Sequence, residues 1–381
     1  RPASEEERQL AKRAIDALSR PRLTGSPGAD ETAATLRRHF EEAGYEIDEL
    51  PFTFSTWPGR FGLPMTGALY LAVTAITVAY LLQGEGWSAL ATLLAGLALF
   101  VFGTSSDRIA IARLPWARVE TANWLVRRPG ARPRYVVVAH RDSKSQPSST
   151  YLRIAATAIA PFALAVLLVL AFAATLNEAW QWPNVAIAAG AIGFPAGLLF
   201  LLCPAQNDSP GALDNASGLA ALLAIARREA EHDDVAFLIT DGEELGLAGA
   251  TAVATRLPVV LGIINLDGLD DEGDFHVVER FGWPRRGLAP HLAASLLHAA
   301  DQLGLPAVRR DLMTGVMVDH VPLVLAGHPA ITLMRGSAKS LRRVHRPSDS
   351  PDRLTGQGAA DAAALVSGAL HLLRRPSSSL S

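Results

Sequence analysis

The chain has 381 residues with 35 basic and 37 acidic side chains and a net charge of −2, so no global field draws nucleic acid, and none is expected as a partner. Its single cysteine, Cys203, excludes an intramolecular disulfide framework and a thiolate zinc site, so any metal would need His, Asp and Glu. Charged residues make up only 19%, against roughly 25% in a soluble domain, which points to segments buried in an apolar solvent.

Residues 1–20 read as a charged amphipathic helix with Leu10, Ala14, Ile15 and Leu18 on one face, rather than as a signal peptide. A helical pattern follows over 31–43 and an extended one over 45–54. Then come two charge-free stretches, 61–82 and 87–106, joined by Gln83-Gly84-Glu85-Gly86. After strand-like segments at 121–127 and 134–139, a second such pair occupies 154–176 and 183–203. Each stretch holds 20 to 23 residues, enough to cross a hydrocarbon core of about 30 Å at roughly 1.5 Å per residue. The expectation is two transmembrane hairpins, 61–106 and 154–203, spliced into one discontinuous catalytic domain of residues 1–60, 107–153 and 204–381.

Trp87, Trp180 and Trp182 sit at the hairpin tips, where an amphipathic ring suits the headgroup layer. Pro161 and Pro195 lie inside spans, where neighbouring helices make them tolerable. No ionisable residue falls inside a span, so the hairpins read as anchors rather than a proton or ion path. Arg60, Arg108, Arg113, Arg118, Arg141, Lys144 and Arg153 flank the spans on the side of the main chain mass, while the tips carry only Glu85 and Glu178. The positive-inside rule then puts the catalytic domain in the cytoplasm.

The remainder alternates: helix 215–231, strand 234–240, strand 259–266, helix 287–303, strand 330–334 and a closing helix 350–373 opened by Ser350-Pro351-Asp352. A polar tail at Ser377-Ser378-Ser379 is expected to be disordered. Alternation of this kind implies a layered α/β fold with a largely parallel sheet, whose ligands gather at the carboxyl ends of strands. The unusual polar residues fall there. His140 and Asp142 follow the apolar run 135–139, Asp214 and Asn215 open a helix, and Glu243 and Glu244 follow the strand 235–240. Asp267 ends the next strand, and His345 follows the last. Asp214 or Asn215 could be a simple helix cap, but two adjacent carboxylates at the end of a buried strand repel unless a cation or a proton relieves them. Two imidazoles and several carboxylates at one rim suit a hydrolytic zinc pair. The acids Asp270, Asp271 and Asp274 read as a solvated loop, with binding of a free amino terminus as the alternative.

These residues resemble the family of co-catalytic zinc exopeptidases that includes bacterial leucyl aminopeptidase and aminopeptidase Y, with glutaminyl cyclases as relatives. The likeness begins at Arg22-Leu23-Thr24-Gly25-Ser26-Pro27-Gly28 and runs through 140–143, 214–218, 241–247, 265–267 and 344–352. It implies a three-layer α/β/α domain with a mostly parallel mixed sheet, here with four inserted transmembrane helices, and two zinc ions per chain. Asp214 would bridge both ions, His140 and Asp267 would complete one site, and Glu244 and His345 the other. Glu243 would be the general base, and Asp142 would fix the tautomer of His140. The resemblance also implies a cis peptide between Asp214 and Asn215. Asp319 and His320 resemble the segment lining the substrate cleft, although Val318 and the lone Gly315 depart from that pattern. Leu213 stands where many members carry an acid that is not a ligand.

The implied activity is a membrane-anchored aminopeptidase acting on peptides. Glutaminyl cyclase chemistry on a single zinc is the alternative, since 140–144 is similar to those enzymes too, and an inactive membrane receptor or scaffold is a third reading. Ile154 begins 14 positions after His140, and Asp214 comes 11 after Cys203. At roughly 3.3–3.6 Å per extended residue neither ligand can lie far from the bilayer, so peptides at or near the membrane are the expected substrates.

Overall fold

The computed structural model describes residues 1–176, 182–313 and 315–375, and omits the side chains of 106–108. The expected tip residues Glu178 and Trp180 and the tail Ser377–Ser379 lie outside the described residues. The chain forms two compact units. One comprises Arg1–Phe54, Arg118–Ser145 and Asn207–Ser381, and the other Ser55–Ala117 and Gln146–Gln206.

The first unit is built on a sheet of eight strands: β1 (Glu46–Ser55), β2 (Arg118–Arg127), β3 (Tyr135–His140), β4 (Val235–Thr240), β5 (Gly262–Leu269), β6 (Asp274–Arg280), β7 (Ala307–Asp311) and β8 (Ala330–Gly336). Their order is β1-β2-β4-β3-β5-β8-β6-β7. The four central strands, β4, β3, β5 and β8, run parallel, while β2 and β6 join them antiparallel. The sheet is therefore mixed and mostly parallel, as expected.

Alternation along β3 explains the layers. Val137 and Ala139 face a core shared with helices Glu5–Leu18, Ser217–Arg228, Pro290–Leu303 and Gln357–Arg374, while Val136 and Val138 face a second core with Val253, Val321 and Leu323. The first helix starts as its sequence dictates. Ser4 Oγ accepts from Glu7 N at 3.2 Å, and the Glu7 carboxylate accepts from Ser4 N at 2.7 Å, a reciprocal cap worth about 1 kcal/mol.

Three expectations need correction. The helix expected from Asn215 starts at Ser217, because Asp214 and Asn215 have non-helical dihedrals. The closing helix is interrupted: a short turn at Pro351–Arg353 precedes Gln357–Arg374, with Gly356 at φ +87° between them. That left-handed residue is tolerable only as glycine. The acidic loop is not solvated throughout, since Asp270 is buried and accepts from Ser340 Oγ and Arg343 at 2.6 Å each. Asp271 accepts from Gly358 N at 2.8 Å and Thr355 Oγ1 at 2.9 Å, capping the closing helix from a distant loop. Strands β6 and β7 add to the expected set. Their charged residues, Asp274, Glu279, Arg309 and Arg310 among them, obscure the apolar alternation.

The second unit holds four helices, Trp57–Leu82, Gly86–Arg113, Thr150–Leu176 and Pro183–Leu201, and each contains a segment long and apolar enough to cross a membrane. Small residues let them pack closely: a Cβ on Gly67 would lie 2.2 Å from Leu201 N, and one on Gly197 would meet the Tyr70 ring at 2.6 Å. Large apolar side chains such as Phe102 and Val169 point outward, 71% and 67% exposed. Such an inversion suits lipid rather than water.

Candidate metal centre

Because β4, β3, β5 and β8 are parallel, their carboxyl ends share one edge, and each delivers part of the site there. β3 ends on His140, and β4 leads into Asp241–Glu244. Asp267 lies within β5 two residues from its end, and His345 follows β8. Asp214 comes from the loop before helix Ser217–Arg228 and is joined to Asn215 by a cis peptide. Asn215 does what a cap does: its Oδ1 accepts from Gly218 N at 3.1 Å, and its Nδ2 donates to Leu266 O at 2.8 Å. The two adjacent residues thus divide the roles that the sequence left open.

Two groups of donors form, with the atoms of each within 4.8 Å of one another: His140, Asp214 and Asp267, and Asp214, Glu244 and His345. Nε2 of His140 lies 3.1 Å from Asp214 Oδ1 and 4.0 Å from Asp267 Oδ1. Nε2 of His345 lies 3.0 Å from Asp214 Oδ2 and 3.1 Å from Glu244 Oε2. Each Asp214 oxygen therefore faces one group.

Glu243 belongs to neither group and is 8% exposed. Asp142, fully buried, accepts through its carboxylate from the backbone N–H of Glu243 at 3.2 Å and of Glu244 at 3.1 Å, while His140 Nδ1 pairs with the Asp142 backbone O at 3.1 Å and lies 3.5 Å from its Oδ1. One carboxylate thereby ties the β3 end to the β4 end. Asp319 and His320 are both fully buried. Asp319 accepts from Thr240 Oγ1, and His320 Nδ1 pairs with Thr332 Oγ1 at 2.6 Å. Burial holds the His320 pKa down to about 4, so its ring is neutral at physiological pH.

The electrostatics are those of a site short of positive charge. Burial first, then Glu244, Asp267 and Asp319, push the Glu243 carboxyl well above its ordinary range against the pull of His140. Burial and Asp214 push Asp267 up to about 7. Burial favours a neutral ring at His140, but Glu243, Asp142 and Asp214 outweigh it and raise its pKa. His345 is raised in the same way by Glu244 and Asp214. Protons are thus drawn to both imidazoles and to Glu243 and Asp267. Against burial, His345 and Lys144 hold Glu244 down at about 2, and His140 and His345 hold Asp214 well below the usual carboxylate range, so the shared ligand and Glu244 stay ionised. A divalent cation relieves such a crowd of acids. The residues present fit a pair of such ions. His140 Nε2 is buried and makes no hydrogen bond despite its acidic neighbours, and the His and carboxylate donors are those that zinc takes.

Three buried residues support the site without having been singled out in the sequence. The guanidinium of Arg22, fully buried, donates to Arg141 O at 2.7 Å, Gly211 O at 2.9 Å, Arg20 O at 3.2 Å and Pro210 O. Asp349 accepts from Leu213 N at 2.8 Å and Asp214 N at 3.1 Å, fixing the backbone of the shared ligand. Asp241 accepts from Arg141 at 3.0 Å and Thr24 at 2.8 Å. All three lie inside recognisable motifs, but their partners are backbone groups or distant side chains that spacing cannot reveal.

Residues 200–374 match the family model described as Peptidase family M28. No curated protein matches the sequence. Among solved structures, the aminopeptidase from Aneurinibacillus sp. strain AM-1 is similar at 14% identity and a TM-score of 0.55, over 97% of this chain and 94% of that one. BSAP, a zinc aminopeptidase from Bacillus subtilis, is similar at 15% identity and 0.55, over 96% and 95%. Fimbriiglobus ruber glutaminyl cyclase is similar at 16% identity and 0.55, over 98% and 96%. At these identities the likeness carries the fold.

Proposed function

We propose that this chain, which carries a peptidase family M28 domain, is a membrane-anchored di-zinc aminopeptidase that removes N-terminal residues from peptides. The observation that most supports this reading is the sharing of Asp214 between two three-residue donor groups, with Glu243 adjacent to one member but in neither group. Two zinc ions held there would lower the pKa of the attacking water and polarise the scissile carbonyl. Glu243 is the proton carrier: its carboxylate, buried at the site but a member of neither donor group, takes the proton from the attacking water and passes it to the leaving amine nitrogen. Asp142 positions the Glu243–Glu244 backbone through its carboxylate and His140 through its backbone O at 3.1 Å, with the carboxylate 3.5 Å from the same ring nitrogen.

The test is a zinc-replete assay of the detergent-purified protein on a panel of aminoacyl and dipeptide substrates. Turnover of none of them would overturn the reading. Cyclisation of peptides with N-terminal glutamine, without hydrolysis, would favour the second reading, which the similarity to glutaminyl cyclase structures keeps in view. Peptides and the lipid bilayer are the proposed partners. Comparing soluble and lipid-partitioned peptides of the same N-terminal residue tests the membrane-proximal preference, and equal rates would remove its support.

Two further outcomes follow. Asp142→Ala should weaken zinc binding by about 10–100-fold, the usual cost of losing a residue that orients a ligand; chelator competition measures it. We also propose a cytoplasmic catalytic unit. Cys203 is buried, so its background labelling is low. A membrane-impermeant maleimide should label Glu85→Cys on intact cells, and Glu272→Cys, on a side chain 72% exposed, only after lysis. The reverse pattern would put the unit on the other face.

A further inference from the structure

The two donor groups differ in one respect that neither the fold nor the donor types require. Glu244 belongs to the second group, and a lysine already engages it. Lys144 Nζ lies 2.8 Å from Glu244 Oε2, the same oxygen that lies 3.1 Å from His345 Nε2. The ammonium also donates to Glu244 O at 3.1 Å, and the backbone N–H of Lys144 donates to Glu244 Oε1 at 3.2 Å. The side chain is 19% exposed and its partner carboxylate 2%, so solvent screens the pair little. No Lys or Arg forms an ion pair with Asp267 among those found for the described residues, and the nearest charged partner of that carboxylate is His140 at 4.0 Å.

We propose that Lys144 makes the two metal sites unequal, holding the affinity of the Asp214–Glu244–His345 site below that of the His140–Asp214–Asp267 site. This rests on the zinc reading above. An ammonium within hydrogen-bonding distance of a ligand oxygen repels a divalent ion on that oxygen and must yield part of its ion pair when the ion binds. Lys144 is in this sense a positioning and tuning residue. It keeps Glu244 aimed when the site is metal-free and makes one of two otherwise similar sites exchange its ion more readily.

Lys144→Met tests the idea, because it keeps the aliphatic stem of the side chain and the backbone N–H bond to Glu244 Oε1 while removing the ammonium. The readout is stepwise zinc affinity of the full chain in detergent, by competition with a chromophoric chelator. The wild type should show two affinities separated by at least about ten-fold, and Lys144→Met should tighten the weaker one by a similar factor while moving the tighter one far less. Lys144→Arg should keep the separation. The tightening should persist with Asp267→Asn, which impairs the first site, and vanish with His345→Ala, which impairs the second. A weaker affinity that is unchanged or loosened in Lys144→Met, with two ions still bound, overturns the proposal and leaves the zinc reading intact. Absence of zinc binding in every variant overturns both.

Discussion

Glu243→Gln is expected to lower kcat by about 10²–10⁴-fold, the range assigned to a positioned general base, with both zinc ions still bound. The substitution preserves shape and volume but removes the group that accepts and returns a proton. Neither donor group contains Glu243, so its loss leaves every proposed ligand in place. Its backbone N–H still donates to Asp142 Oδ1 at 3.2 Å, so the turn that carries Glu244 is also retained. The side chain is buried among Glu244, Asp267 and Asp319, whose fields push its carboxyl upward; a neutral amide relieves that repulsion, so the variant should melt no lower than the wild type. Three measurements separate the possibilities: turnover on the best substrate, zinc per chain, and thermal midpoint. Lost turnover with two ions retained supports the role. Turnover near wild type sinks it, and loss of an ion would make Glu243 a ligand instead.

The site could be read in the sequence for a specific physical reason. In a parallel sheet the residue types at strand ends are exempt from the apolar rule that governs the strands, so His140, Glu243 and Asp267 stand out against Val136–Ala139, Ala236–Ile239 and Ile263–Leu266. The four long apolar helices were legible for the complementary reason: a charge-free run of such length has few uses in water. Long-range satisfaction was not legible. Asp271 caps a helix from a loop 87 residues away in sequence, Asp349 holds the Asp214 backbone from 135 residues away, and Arg22 serves carbonyls near residues 141 and 211. Such bonds are set by where the chain returns in space, and a local pattern records only that a polar residue is present. Strands β6 and β7 were missed because charged side chains break up an outer pair of strands: β6 keeps only Phe275 and Val277 as an alternating apolar pair, and β7 is largely charged.

Arg22 carries the second large effect, on stability. It is fully buried, yet burial lowers its pKa only to about 10, since Asp349, Asp142, Asp214 and Glu244 favour the charged form, so it is a cation at neutral pH. Its guanidinium spreads its donors over carbonyls of three segments: the chain before the first motif, the end of β3 and the loop leading into Asp214. Arg22→Met removes the donors and the buried positive charge together, leaving buried carbonyls unsatisfied and the acids Asp349, Asp142, Asp214 and Glu244 without that charge nearby. The expected cost is about 3–5 kcal/mol, since each buried carbonyl left without its donor costs about 1–3 kcal/mol and at least two are. Arg22→Lys keeps the charge but presents a compact ammonium in place of a planar fork and should recover only part of the loss. Zinc discriminates between a simple packing defect and loss of site organisation. An ion that binds only the folded chain stabilises it by about 2.7 kcal/mol at one hundred times its Kd, so saturating zinc should raise the melting temperature of the variant. If Arg22 positions the Asp214 loop, the variant needs more zinc than the wild type to reach the same upward shift. An equal zinc dependence would confine Arg22 to stability, and an unchanged melting temperature in the zinc-free protein would show that the buried clamp contributes no net stability.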